Sequence, residues 1–364
     1  MIQPSPHTQT ATVRFEGLDL ARFAAAILIV LYHYTFHGPG AFELTWISLP
    51  EVTPVTRYFY LGVPLFFVIS GFVIARSATG RTVPDFVLAR IARIYPTFLV
   101  CMTITFLSVV LFGKPQIEVS IGQWFANWLI AAPLLKSAYV DSVYWSIVYE
   151  ITFYGLVAVL MGLGLFQRRL HESIALWLLI AWTNELFVGS EWLRRLLITN
   201  YSGFFASGML IYMLLTTRRE IRTVALLACA VALGAFQADA NSDWLRAHGV
   251  ELSHSVVTLL ALAAPAFVAL FAIMPRVSVG SQTVLALGGL TYPLYLLHQT
   301  IGYEVFNHLA WHAHPALLVA GTLVAMIALS WVFYETVDKP LHEASRIRLR
   351  RLSAALLPRA SVAG

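Results

Sequence analysis

Apolar positions in this chain come in long blocks, not in the short alternation of strands or the narrow stripe of a surface helix. A bilayer-crossing helix needs roughly 17–25 mostly apolar residues. Ten blocks qualify: 18–36, 58–76, 86–112, 143–164, 172–189, 196–216, 222–238, 253–274, 283–305 and 314–335. An eleventh, 121–135 (IGQWFANWLIAAPLL), is short and holds Asn127 and Pro133. Its Trp124 and Trp128 suit a membrane interface. The longest hydrophilic stretches, 37–57 and 239–252, are too short to fold alone, and no internal repeat is visible. The pattern predicts an all-α, polytopic transmembrane helix bundle of about ten spans.

Composition excludes a soluble fold. Of 364 residues, 59% are hydrophobic and 12% charged, and the mean hydropathy is +0.73. Soluble domains average about 45–50% apolar and about 25% charged residues, enough polar surface to cover a core. Here lipid must be the outer solvent. The net charge of +5 does not point to nucleic acid, because the basic residues sit in short clusters between apolar blocks.

Those clusters orient the bundle. With ten spans, one side receives Arg14, Arg76, Arg81, Arg90, Arg93, Arg168, Arg169, Arg218, Arg219, Arg222, Arg276 and the six basic residues from Lys339 to Arg359, which is 17 of the 24 Lys and Arg residues. If 121–135 also crossed, this asymmetry would be lost. The positive-inside rule therefore places both termini in the cytoplasm. The expected organisation is a cytoplasmic segment 1–17, a transmembrane domain 18–338 and a basic cytoplasmic tail 339–364, whose RIRLRRL run could rest on anionic lipid. Residues 1–18 lack the basic-then-apolar order of a signal peptide, so the first block is expected to be retained. Cys101 and Cys229 lie inside apolar blocks and read as packing residues.

Ionisable residues inside spans cost several kcal/mol (roughly 3 on insertion scales) and mark cavities or partners. Arg22 and His33 share the first span, eleven residues apart. That spacing returns to nearly the same helix face about 16 Å further along the axis. Arg22 either snorkels to the cytoplasmic interface or serves a site, and Asp19 is spaced to pair with it. His33 is either a hydrogen-bonded core histidine or a functional one. In YWSIVYEITFY, Ser146, Glu150 and Tyr154 share a face beside Trp145 and Tyr149. Glu150 is expected level with His33, orienting its ring, unless it forms a purely structural pair. Arg90 and Arg93 in RIARIYP share a face suited to phosphate groups, or serve as topology anchors. Ser70 and Gly71 make a narrow place where a helix or a slender ligand can approach. Tyr292, Tyr295 and His298 lie along one face of the ninth span, with His298 toward the outer side.

In this order, these segments resemble the acyltransferase-3 family of integral-membrane acyltransferases over nearly the whole chain. Arg22 and His33 match its arginine–ten residues–histidine motif. GVPLFFVISGFVI, RIARIYP, WSIVYEITFY, LGGLTYPLYLLH and VDKPL resemble successive family segments. The chain departs from the pattern at Pro64, Ile151 and Asp338, where the family often carries other, acidic residues; at Asp338 that residue is Glu.

The resemblance implies transfer of an acyl group, commonly acetyl, from cytosolic acyl-CoA to a hydroxyl of an envelope, secreted or lipid-linked carbohydrate. The expected location is the bacterial inner (plasma) membrane. In that reading Arg90 and Arg93 hold the donor's phosphates, Arg22 lines the donor tunnel, and the pantetheine arm passes Ser70 and Gly71. His33 acts as general base, or carries the acyl group itself, with Glu150 as its orienting carboxylate. Trp145, Ser146, Tyr154, Tyr295 and His298 surround the reacting groups. Neither a metal nor nucleic acid is expected as a partner, and oligomeric state is left open. Buried Arg, His and Glu in ten spans also describe a proton-coupled transporter or a polysaccharide exporter, although no two halves show matching broken helices.

Overall fold

The structure, a computed structural model, describes residues 15–41, 44–114, 117–217, 220–274 and 281–356. Ten helices of 14 residues or more cover the predicted spans. They are α1 (Glu16–Tyr32), α2 (Gly62–Ala78), α3 (Val83–Ser108), α4 (Trp145–Gly162), α5 (Leu170–Thr183), α6 (Ser202–Thr216), α7 (Ile221–Ala247), α8 (His254–Ile273), α9 (Ser281–Leu309) and α10 (Pro315–Phe333). A basic helix, α11 (Lys339–Leu356), follows. Eight segments are long and apolar enough by themselves to cross a membrane. The other two predicted spans are helical for different reasons. α5 is short and continues as a π-helical turn over Asn184–Val188. α9 is long but carries tyrosines, His298 and Gln299 in its middle, so only its neighbours keep these groups from lipid.

Small residues bring the helices together. A Cβ on Gly71 would overlap the Phe205 carbonyl, and one on Gly208 would overlap the Val68 carbonyl, so α2 and α6 touch backbone to backbone. Both helices are largely enclosed by their neighbours. α1 packs against α2, α8 and α9. Large apolar side chains such as Leu107, Leu111, Val159, Leu179 and Leu259 point outward, as a lipid-facing belt requires.

The short eleventh block keeps to expectation, and one boundary departs from it. The 121–135 stretch does not cross: it breaks into a six-residue helix at Ile121–Ala126, closed by a Ser120–Gln123 capping box, and a 3-10 turn at Ala132–Leu135. α7 runs about nine residues past its predicted end at 238. Asp239, Asn241 and Asp243 look like loop residues by composition. Arg246 ties this last part down, donating to Asp239 and Asp243 at 2.6 Å and to the Leu252 carbonyl at 3.1 Å.

Each crossing reverses the direction of the chain, so successive spans run antiparallel. The starts of α1, α3 and α9 and the ends of α2 and α4 therefore gather at one end with α11. The end of α1 and the starts of α4 and α6 gather at the other, beside the end of α7. Thr82 caps α3 by accepting from the Asp85 amide, and Pro84 follows in the first turn, where its missing N–H costs nothing. α11 is held at its root. Buried Asp338 accepts from Thr97 and from Arg93, the latter at 3.4 Å, and His342 Nδ1 donates to the Ala92 carbonyl at 3.1 Å. The predicted cytoplasmic segment 1–17 lies mostly outside the described residues.

Candidate active site

Two cavities enter the bundle from its opposite ends. The arginine-rich end opens into a space of about 630 Å³. Its wall includes Arg22, Ser70, Arg90, Arg93, Glu150 and Tyr154. The other end opens into a pocket of about 230 Å³ at His33. Val63 lines both, and Ser146 and Val143 of one short segment face one cavity each. The two spaces thus back onto a thin partition. Tyr295 closes part of it: its hydroxyl lies 2.6 Å from Ser146 Oγ and donates to the Val143 carbonyl at 3.0 Å. Buried Asp141 fixes this corner, accepting from the Val143 and Thr300 amides and so tying the start of α4 to α9.

In the larger cavity the predicted cationic residues take different parts. Arg22 pairs with Asp19 at 3.8 Å, as its spacing predicts. Arg93 is committed to Asp338. Arg90 faces the cavity from between two aromatic rings. Its guanidinium lies 6.0 Å from the Phe86 ring centroid and 5.9 Å from that of Tyr154. Its Nε is buried with no hydrogen-bond partner among the described residues. Leaving a charged donor unmet is costly (roughly 1–3 kcal/mol or more). The sequence reads Arg90 and Arg93 as a matched pair; both line the cavity, and Arg93 is in addition paired with Asp338.

Glu150 also departs from expectation. It does not meet His33. One carboxylate oxygen accepts from Ser70 at 3.2 Å and from Tyr154 at 2.5 Å. Ser70 is seven residues along α2 from Val63, which puts Glu150 about 10 Å from the partition, on the arginine side. Gly71 is corrected as well. It faces α6 rather than the cavity, and its missing Cβ serves helix packing, whereas Ser70 does line the space.

His33 instead meets His298. Its Nδ1 lies 2.9 Å from His298 Nε2. His298 Nδ1 is 2.9 and 3.1 Å from the carbonyls of Tyr295 and Leu294, which can only accept, so Nδ1 carries the proton. Neutral His298 then accepts at Nε2, and His33 donates from Nδ1. The unshared electron pair of His33 is left on Nε2. His33 is also the residue at which α1 passes into a wider π-helical stretch, His33–Ala41. Gly38 in that stretch lies so close to the Tyr303 ring that a Cβ would collide with it.

The smaller pocket holds residues the sequence reading passed over. His37 stands one turn after His33, its ring 5.1 Å from that of His33 and its Nδ1 3.0 Å from the Tyr303 hydroxyl. The run HYTFH shows both histidines, but only His33 belongs to a recognised spacing. Tyr60, Tyr201, Asn241 and Trp244 join Trp145 around the opening. They come from four distant segments, and no local pattern links them.

The family described as Acyltransferase domain matches residues 15–335. The chain belongs to the acyltransferase-3 family. Comparison with curated proteins and with solved structures finds no match. The protein is thus a multi-pass membrane acyltransferase, and the matched span takes in every transmembrane helix and both cavities' inner walls. The acyltransferase match stops short of α11, although His342, Arg346 and Leu349 of that helix line the larger cavity.

Proposed function

We propose that this acyltransferase takes an acyl group, acetyl by family precedent, from cytosolic acyl-CoA in the arginine-lined cavity and transfers it to a carbohydrate hydroxyl in the His33 pocket. The observation that carries the reading is the pair of cavities sharing Val63, one holding an unpartnered buried arginine nitrogen and the other a histidine with a free ring nitrogen. The basic end is the cytoplasmic one by charge bias, so the donor enters from the side where acyl-CoA is made. Aromatic rings around Asn241 suit the apolar faces and hydroxyls of a sugar. The membrane is the plasma membrane, the bacterial inner membrane.

The chemistry needs one base. His33 Nε2 removes the acceptor hydroxyl proton as its oxygen bonds to the thioester carbonyl carbon. Collapse of the tetrahedral intermediate breaks the carbon–sulfur bond. The departing thiolate takes the proton back from His33, which returns to its starting state. His298 Nε2 faces the imidazolium that forms and holds the ring's orientation, the part a carboxylate plays in a hydrolase triad. Arg90 holds donor phosphate, and Glu150 fixes Tyr154 against it.

The test uses the full-length protein in nanodiscs. Radiolabelled acetyl-CoA should bind with saturable affinity, and glycans from cells expressing the wild type should carry an ester that the His33→Ala strain lacks. Wild-type protein that binds no acetyl-CoA would end the donor assignment. A His33→Ala strain with an unchanged ester would end the base assignment.

A further inference from the structure

The tail helix α11 is more than an anchor. His342, Arg346 and Leu349, spaced to share one helical face, turn toward the donor cavity. The ion pair of Asp338 with Arg93 and the hydrogen bond from His342 to Ala92 fix the first turns of α11 on α3. Arg346 is one turn past His342, about 6 Å further along the axis, which brings it to the cavity mouth. Arg81, from the connection between α2 and α3, lines the same mouth. Neither guanidinium has an ion-pair or hydrogen-bond partner among the described residues. Asp85 is the acid beside them, and its carboxylate accepts from Thr82 at 2.8 Å. The mouth is therefore a second cationic station, separate from Arg90 inside.

An acyl-CoA carries two phosphate groups on one side of its thioester: a diphosphate next to the pantetheine arm and a monoester on the ribose 3′ oxygen. Arg90 is nearer the partition, where the thioester must reach, and the Arg81–Arg346 mouth is further out. We infer that Arg346 and Arg81 form a phosphate-monoester subsite that reads the donor's 3′-phosphate, making α11 part of the donor site. The inference rests on the acyl-CoA reading above. A dianionic monoester between two exposed guanidiniums gains most from a forked, charge-assisted fit. It gives the enzyme a way to tell acyl-CoA from thioester donors that lack a 3′-phosphate.

A phosphate monoester at this mouth could also belong to a lipid headgroup, so the experiment separates the two. Binding of acetyl-CoA and of 3′-dephospho-acetyl-CoA is measured on full-length protein in neutral phosphatidylcholine nanodiscs and again in nanodiscs containing an anionic phosphomonoester lipid, phosphatidic acid. The wild type should prefer acetyl-CoA by about tenfold. Arg346→Ala and Arg81→Ala should each bring the preference toward unity by weakening acetyl-CoA alone, and Arg346→Lys should keep part of it. Arg90→Ala should weaken both donors by a similar factor and leave their ratio intact. Equal binding of the two donors by the wild type would overturn the subsite while leaving the donor assignment standing; binding of neither would remove both. A preference unchanged in Arg346→Ala and Arg81→Ala, with their only effect a lost response to phosphatidic acid, would assign the mouth to lipid and overturn the inference.

Discussion

His33 Nδ1 and His298 Nε2 meet at 2.9 Å across the interface of α1 and α9. The carbonyls behind His298 fix its tautomer, and that in turn fixes which nitrogen of His33 is free. A histidine on one helix is thus oriented by a ring on another, 265 positions later in the chain.

The dyad predicts an ordered series of losses. His33→Ala should lower the transfer rate by about 10²–10⁴-fold, the range for a lost general base. His298→Ala should lower kcat less, shift the pH–rate profile, and leave acetyl-CoA affinity unchanged. His298→Gln, which offers an amide oxygen to His33 Nδ1, should recover part of that loss. A His298→Ala enzyme with normal kcat and an unshifted profile would reduce the contact to packing.

Glu150→Gln separates two roles for the carboxylate. In the arginine-lined cavity its oxygen accepts from Ser70 and Tyr154, and an amide oxygen can still accept both. The expected change is at most about fivefold, seen in donor KM. Were Glu150 the group that stabilises protonated His33, kcat itself would fall by about 10²-fold or more.

Gly71→Ala should cost stability, not chemistry. The added methyl meets the Phe205 carbonyl of α6, and overpacking of this kind costs about 1–3 kcal/mol. A lower thermal transition in detergent with unchanged donor KM is expected. A raised KM at normal stability would return Gly71 to the donor passage.

Asp338→Ala should release the tail. It strips Arg93 of its carboxylate and leaves Thr97 unpaired, a loss of about 1–3 kcal/mol. Faster proteolysis and faster amide exchange across 339–349 are expected, with weaker acetyl-CoA binding as α11 lifts from the mouth. A tail as protected as in the wild type would show that other contacts dock it.

On the opposite side, Trp244→Ala should raise acceptor KM by about five- to tenfold and leave donor KM alone, because the indole borders only the His33 pocket. Equal effects on both substrates would place Trp244 in a structural role.

How much of this was legible in the chain depends on the range of the interaction. Burial in lipid is a property of each residue and its near neighbours, so the hydrophobic blocks, the membrane class and the charge bias can be read one segment at a time. Positions on one helix follow from the 3.6-residue repeat, so Arg22 and His33 on one face, Asp19 beside Arg22, and Ser146, Glu150 and Tyr154 in line were all accessible. The same local logic failed at Asp239–Ala247. Polar side chains there read as a loop, and contacts with distant residues hold them in the helix, among them those of Arg246 with Asp239 and Leu252 and of Asn241 with the Asn200 carbonyl.

What the tertiary structure decided is which helix each polar group faces and at what depth. Depth in a tilted bundle cannot be had from residue counts, which is why Glu150 was placed beside His33 and is instead bonded to Ser70 and Tyr154. Gly71 and Ser70 are adjacent in sequence and face different neighbours. The basic tail reads as a topology signal until its docking turns Arg346 into a wall of the arginine-lined cavity. Sequence determines the hydrophobic lengths and the sign of the charge at each end, since those energies add residue by residue. Partner choice among buried polar groups depends on contacts across helices, and only the assembled bundle supplies them.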